Sequence, residues 1–193
     1  MMKITGIVLA GGQGSRMGGV DKGLQPFRGR PMVAHAIERL APQVDELLVN
    51  ANRNPEAYAV FGHRVIADEI EGFAGPLAGF ERGLAHATGD LVVTVPCDSP
   101  FLPTDLVARL RAGLEREGAD LAVAKTGDQA HPVFSLMKRE VHESLRAFLG
   151  SGQRKIDKWY AALAVVEVAF DDEAGAFLNI NTREELATLE PRS

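Results

Sequence analysis

Short apolar runs, each ending in a polar or glycine-rich tip, alternate along this chain with segments whose apolar residues recur at helical spacing. Ile4–Leu9, Glu46–Val49, Arg64–Ala67, Leu91–Val95, Leu121–Ala124, Val133–Met137 and Val165–Val168 read as strands. Leu91–Val95 is uninterrupted, as expected of a central strand buried on both faces. Between these runs, Val33, Ile37 and Leu40 follow Pro31 at helical spacing until Pro42, and Leu77, Phe80 and Leu84 follow Pro76. Leu106, Leu110 and Leu114 mark the next helix, with Pro103 or Thr104 near its start, and Val141, Leu145 and Phe148 share one further helical face. Lys125–Pro132 reads as a polar loop and Gly150–Lys158 as a polar, basic stretch. Phe177–Asn181 leads into a final helix for which Thr182 and Glu185 form a capping box.

This alternation predicts βαβ units. The expected architecture is an α/β three-layer sandwich with a mostly parallel sheet and an antiparallel element in its second half. No repeat or linker divides the chain, so residues 1–193 are expected to form one domain. In open α/β sheets ligands bind beyond the carboxyl ends of the strands. The tips at Gly11–Lys22, Asn50, Asp68 and Asp98 all fall at such ends, which predicts one shared site.

The tip after the first strand carries the most chemistry. It runs I-V-L-A-G-G-Q-G-S-R-M-G-G-V-D-K, from Ile7 to Lys22, with glycines at 11, 12, 14, 18 and 19. Glycine lets the backbone approach a ligand closely, and successive N–H groups in such a loop can form an anion-binding concavity. Arg16 and Lys22 add two cations, so a phosphate chain is the natural occupant. A dinucleotide fingerprint begun at Gly12 would end on Met17 instead of glycine, and the chain has no Gly-Lys pair for a Walker A loop. A turn that merely reverses the chain would explain a lone G-x-G. It explains less well a strand, several glycines, an arginine and a lysine together.

Composition narrows the picture. The net charge of −5 gives no general attraction for nucleic acid, and no segment approaches the length of a membrane span. The single cysteine, Cys97, excludes an internal disulfide and a cysteine-cluster zinc site, and the cytoplasm is the default location. The five histidines are scattered. His35, His63, His86 and His142 read as helix or surface residues, and His131, in the polar loop, is the one that can meet a second substrate.

A polyanionic phosphate chain is commonly met together with a divalent cation, and magnesium takes one or two carboxylates with phosphate oxygens and waters. Asp98, at the end of the most apolar strand, is the best ligand candidate, although a turn-forming aspartate beside Pro100 is a common alternative. Lys22 can bind phosphate oxygens as a point charge and Arg16 can clamp a phosphate group. Asn50 can exchange hydrogen bonds with a base or ribose. Asp68 can accept from the N1–H and amine of guanine, or can be a strand-end carboxylate with no ligand. Gly75, Gly79 and Gly83 share one helical face, which suits either tight packing on the sheet or a flat ligand.

The L-A-G-G-x-G-S-R-M run with its following lysine resembles the nucleoside-triphosphate-dependent nucleotidyltransferases, which have a Rossmann-like fold. The continuation G-G-V-D-K-G resembles, more narrowly, the molybdenum cofactor guanylyltransferase family. V-N-A-N-R at 49–53, G-P-L-A-G at 75–79, P-C-D at 96–98, H-P-V-F at 131–134 and F-L-N-I-N-T at 177–182 extend the resemblance over nearly the whole chain. It implies GMP transfer from GTP to molybdopterin with release of pyrophosphate, Mg2+ as cofactor held by Asp98, and catalytic roles for Arg16, Lys22 and Asp98. It implies nucleotide contacts at Leu9, Ala10, Gly11, Gly12, Lys22, Asn50, Asp68 and Asp98, and nucleotide near the start of the helix after Pro76. Acceptor contacts are expected at His131, Asn179 and Asn181, and the resemblance allows for delivery proteins of the molybdenum cofactor as partners. Related sugar nucleotidyltransferases carry a second metal-binding aspartate near Asn179 and Asn181, where this chain has amides, and often a proline where this chain has Arg183. Two other readings compete: cytidylyl or other nucleotidyl transfer to a pterin or polyol phosphate, and a nucleotide-binding module without catalysis. Intact Arg16, Lys22 and Asp98 speak against the latter.

Overall fold

The computed structural model describes residues 1–11, 21–70 and 75–178. Its elements in chain order are β1 (Ile4–Leu9), the hairpin strands β2 (Pro26–Phe27) and β3 (Arg30–Pro31), α1 (Met32–Leu40), β4 (Glu46–Asn50), α2 (Pro55–Ala59), β5 (Arg64–Ile66) and α3 (Pro76–His86). There follow β6 (Leu91–Pro96), α4 (Leu106–Glu117), β7 (Leu121–Thr126), β8 (Gln129–Lys138), α5 (His142–Gly150), α6 (Ile156–Tyr160) and β9 (Val165–Ala169). Seven strands form one sheet in the order β5-β4-β1-β6-β8-β7-β9. β8 alone runs antiparallel to its neighbours β6 and β7, while β1–β4, β1–β6, β4–β5 and β7–β9 pair in parallel. The expected mostly parallel sheet with an antiparallel element in its second half is therefore what forms.

Both faces of the sheet are covered, which is why its central strands carry apolar residues at consecutive positions. In β6, Leu91, Val93 and Val95 face a core built with Val33, Ile37 and Leu40 of α1, Tyr58 of α2 and Leu106, Leu110 and Leu114 of α4. Val92 faces the opposite core, with Ile7 of β1, Leu77, Phe80 and Leu84 of α3, Leu145 of α5 and Trp159 of α6. Burying each such side chain contributes about 1.5–3 kcal/mol. Buried polar groups in the sheet are paired, as they must be. The Thr94 hydroxyl donates to the Val133 carbonyl at 2.7 Å and lies 3.1 Å from the Ser135 hydroxyl. The Tyr160 hydroxyl bridges the Pro132 carbonyl and Ser135.

Of the three glycines expected on one helical face, Gly79 and Gly83 serve packing, whereas Gly75 precedes α3 at φ 65° and a Cβ there would meet nothing within 4 Å. A Cβ on Gly83 would come within 2.8 Å of Ile7, and one on Gly79 within 2.6 Å of both Leu9 and Asn50. The helix thus lies closer to β1 and β4 than any side chain would allow.

The segment expected as a loop, Lys125–Pro132, is instead a tight β-hairpin. Thr126 pairs with Gln129, and Gly127 turns the chain at φ 55°. A two-residue loop with glycine first in positive φ matches the twist of its flanking strands. A register shift between Val123 and Ala124 absorbs the irregularity of this hairpin. Two short helices were not expected: α2, and α6 within and beyond the basic stretch, whose Trp159 is fully buried. The final helix with Thr182 and Glu185 lies outside the described residues.

Candidate active site

All the tips singled out in the sequence and described in the structure lie at one edge of the sheet. β1, β4, β5 and β6 run parallel, so their carboxyl ends place Leu9–Gly11, Asn50–Asn52, Asp68 and Asp98 along that edge. Sheet bonding continues just past the strand ends. The Ala10 amide donates to the Asn50 carbonyl at 2.7 Å, the Cys97 amide to the Leu9 carbonyl at 3.0 Å, and the Ala51 amide to the Ile66 carbonyl at 2.9 Å. The tips are therefore fixed by backbone bonds, which is the preorganisation that a site for a charged ligand needs.

On one side of β1, three polar residues form a closed network. The Asn50 amide nitrogen donates to Asp68 Oδ1 at 2.8 Å, and the Asn52 amide nitrogen to Asp68 Oδ2 at 2.9 Å. Asn52 Oδ1 accepts in return from the Asp68 backbone N–H at 2.8 Å. Asn52 also donates to the Gly11 carbonyl at 3.3 Å. A Cβ at Gly11 would meet Asn52 at 2.9 Å and Asn50 at 3.0 Å, so the first glycine of the loop is required for this close approach. A carboxylate has about four acceptor sites. Two donors per carboxylate leave Asp68 capacity for further donors at the edge of the network.

On the other side, Lys22 and Asp98 come together. Lys22 opens a 3₁₀ turn over Lys22–Leu24, and its Nζ lies 3.8 Å from Asp98 Oδ2. The Asp98 side chain is 10% exposed and that of Lys22 23%. Both are shielded enough for their charges to act strongly and open enough to meet a ligand. Cys97, next to Asp98, is buried, and burial first, then the Asp98 charge, pushes its thiol well above its ordinary range. It stands there as a protonated packing group and not as a nucleophile.

His131 begins on the same edge, near the start of β8. Its Nε2 lies 2.7 Å from the Thr126 hydroxyl, and its ring stacks on Phe177 at 4.7 Å and 12°. Burial lowers its pKa, which keeps the imidazole neutral. These partners belong to the hairpin and to the turn at Asp171–Phe177 and not to the Lys22–Asp98 pair. Gly12, Arg16, Asn179 and Asn181 lie outside the described residues.

Three residues at the site were not singled out by sequence. Asn52 had a readable signal: it follows Asn50 by two positions, so in extended chain the two side chains point the same way. Asp21 lies in the G-G-V-D-K-G run, which shows no role for it by itself, and Tyr58 had no signal. Their side chains meet across a separation of 37 positions, with the Tyr58 hydroxyl donating a hydrogen bond to Asp21 Oδ1.

The model of the MobA-like NTP transferase domain matches residues 6–166. The molybdenum cofactor guanylyltransferase of Cupriavidus necator is 56% identical over 194 residues, covering 98% of this chain and 97% of that protein. The protein of the same name from Shewanella amazonensis is 52% identical over 188 residues, covering 97% and 96%. Among solved structures, molybdopterin-guanine dinucleotide biosynthesis protein A from Archaeoglobus fulgidus superposes with a TM-score of 0.80 at 25% identity, covering 96% of each chain. The glycine loop ending in Lys22 and the P-C-D segment ending in Asp98 fall within the matched region, and the relatives span almost the full length, so the chain belongs to the MobA-like NTP transferase family.

Proposed function

We propose that this protein is a molybdenum cofactor guanylyltransferase: it transfers GMP from GTP to molybdopterin, forms the guanine dinucleotide cofactor and releases pyrophosphate. The observation that carries this reading on the structural side is the Lys22–Asp98 pair beside the glycine-loop end of β1. The relatives of the same length that bear this name support it.

The reaction balances without a protein base. An oxygen of the acceptor phosphate forms a bond to the α-phosphorus of GTP, and the bond from that phosphorus to the bridging oxygen breaks. Pyrophosphate leaves with the electron pair. A phosphate acceptor is already ionised near neutral pH, so catalysis reduces to positioning and charge stabilisation. Lys22 stabilises charge on the phosphates, Arg16 clamps the departing pyrophosphate, and the amides of the glycine loop from Gly11 and Gly12 onward cradle the chain. Leu9, Ala10, Asn50 and Asp68 receive the nucleoside. The Asn50–Asn52–Asp68 network supports a guanine reading, because a carboxylate with remaining acceptor capacity suits the N1–H and amine of that base.

The donor set also fits magnesium. Asp98 is one shielded carboxylate, and among the described residues no group of three or more His, Cys, Asp or Glu assembles a metal cage. A site with one carboxylate suits an ion that keeps phosphate oxygens and waters as its other ligands. When bound, that ion spreads the charge of the triphosphate and of the leaving pyrophosphate. His131, Asn179 and Asn181 are assigned to the acceptor half, Asn179 and Asn181 by the F-L-N-I-N-T segment. Residues 1–193 act as one domain in this reading, with one sheet gathering strands from Ile4 to Ala169. Among the described residues no helix is long and apolar enough to cross a membrane. We place the protein in the cytoplasm, where delivery proteins would take the product onward.

The experiment is a base-choice assay: purified protein with magnesium, molybdopterin and each nucleoside triphosphate separately. A guanine dinucleotide product from GTP alone is expected. A cytosine dinucleotide from CTP would replace this reading.

A further inference from the structure

The residues flanking Lys22 are both held by one side chain of a distant helix. Asp21 precedes Lys22, and its Oδ1 accepts the hydrogen bond from the Tyr58 hydroxyl. Its Oδ2 accepts from the Asn54 amide nitrogen at 3.2 Å. Gly23 follows Lys22, and a Cβ there would sit 2.5 Å from the Tyr58 hydroxyl oxygen and 3.1 Å from its ring. The backbone on either side of Lys22 therefore rests on Tyr58, once through a charge-assisted bond and once through contact that only glycine permits.

Tyr58 is itself well anchored. It is fully buried in α2, within the core beneath α1 and α4. α2 starts at Pro55 directly after Asn54, which turns the chain in the left-handed region at φ 51° and so brings its side chain back to Asp21. Burial first, with the neighbouring Cys97 and Asp21 adding to it, pushes the phenol upward from its ordinary value. The hydroxyl is thus a permanent donor. The Lys22 Nζ stands 3.8 Å from Asp98 Oδ2.

We propose that Tyr58 is a positioning residue for the transfer reaction: through Asp21 and Gly23 it fixes the backbone of Lys22, so that the ammonium is held beside Asp98 before the nucleotide arrives. Preorganised charge costs no rearrangement at the moment of reaction, and a displacement of about 1 Å in such a group can cost about a hundredfold. This inference rests on the role given to Lys22 in the proposed function. The sequence motif G-G-V-D-K-G acquires a physical division of labour: Asp21 is the handle, Lys22 the working charge and Gly23 the clearance.

The test is a double-mutant cycle with magnesium, GTP and molybdopterin, run on wild type, Tyr58→Phe, Lys22→Ala and the double variant, with melting curves alongside. Tyr58→Phe keeps the buried ring and removes only the donor. It should lower kcat about tenfold, the scale of a hydrogen bond to a charged group, while KM for GTP stays within about twofold. In the Lys22→Ala background the same change should cost nothing further, because partners acting through one group are not additive. An equal loss in both backgrounds, or wild-type turnover in Tyr58→Phe alone, overturns the positioning role and leaves the proposed reaction standing. Wild-type turnover in Lys22→Ala removes the role of Lys22 and this inference with it. If Tyr58→Phe lowers the melting temperature, Asp21→Asn is carried through the same cycle, where additivity again overturns the proposal and non-additivity supports it.

Discussion

Lys22 Nζ and Asp98 Oδ2 stand 3.8 Å apart, one at the start of the turn after the glycine loop and the other just beyond the end of β6. Their opposite charges face each other. In the proposed reaction the lysine serves the phosphates and the aspartate the cation that accompanies them. The pair holds both charges where each is used in that reaction, on side chains that are only 23% and 10% exposed.

Lys22→Ala should therefore slow GMP transfer by about 10²–10³, the range for loss of one preorganised charge stabiliser. Its melting temperature should stay close to that of wild type. Steady-state kinetics and calorimetry on one preparation check both halves.

Asp98→Asn keeps the shape of the side chain and removes its charge. Turnover should lose its saturable dependence on magnesium at fixed GTP. A magnesium titration with an unchanged midpoint would move the ion to another residue.

Asp68→Asn tests base choice. An amide at this position sets N–H groups against the donor of Asn50 or Asn52, and one of the two bonds is lost. A site built on hydrogen bonds discriminates strongly because a poor partner leaves buried groups unpaired. GTP binding should weaken more than ATP binding in calorimetry; equal losses would assign Asp68 to the support of Asn50 alone.

Gly79 couples the fold to the site. Alanine favours a helix over glycine by about 1 kcal/mol, whereas overpacking costs about 1–3 kcal/mol. The new Cβ would lie 2.6 Å from both Asn50 Oδ1 and Leu9. The clash should win, so Gly79→Ala should lower the melting temperature and weaken GTP binding together. Gly150→Ala, where a Cβ meets nothing within 4 Å, should not destabilise.

Stability should also depend on pH through His131. Burial lowers its folded pKa below 6.5, the value taken for the unfolded chain. Between the two values the unfolded state binds more protons, so stability rises with pH through that window. The contribution is complete above about pH 6.5 and is lost as pH falls through the folded value. His86 shifts the same way, by burial and the nearby Arg82 and Arg64. His131→Gln should flatten, without abolishing, the fall in melting temperature below pH 6.5.

Of the strands that build the site, β1 and β6 were the most readable, because each runs for six residues with both faces buried along nearly its whole length. β1 and β6 fall within one residue of their expected limits. The hairpin at Gly127 was missed because Gln129–Pro132 is polar and contains proline, although the Gly-Asp pair is itself a hairpin signal. α2 and α6 are five residues each, too short for helical periodicity to show. Within the site, Lys22 and Asp98 were legible as chemistry at strand ends. The contact of Asp21 with Tyr58 was not, since nothing local links positions 37 apart.

The most direct measurement is product identification by mass after incubation of the purified protein with GTP, magnesium and molybdopterin. The account predicts a molybdopterin guanine dinucleotide and one equivalent of pyrophosphate, both absent without magnesium and both strongly reduced in Lys22→Ala. GTP bound and recovered intact, with no dinucleotide formed, would contradict it.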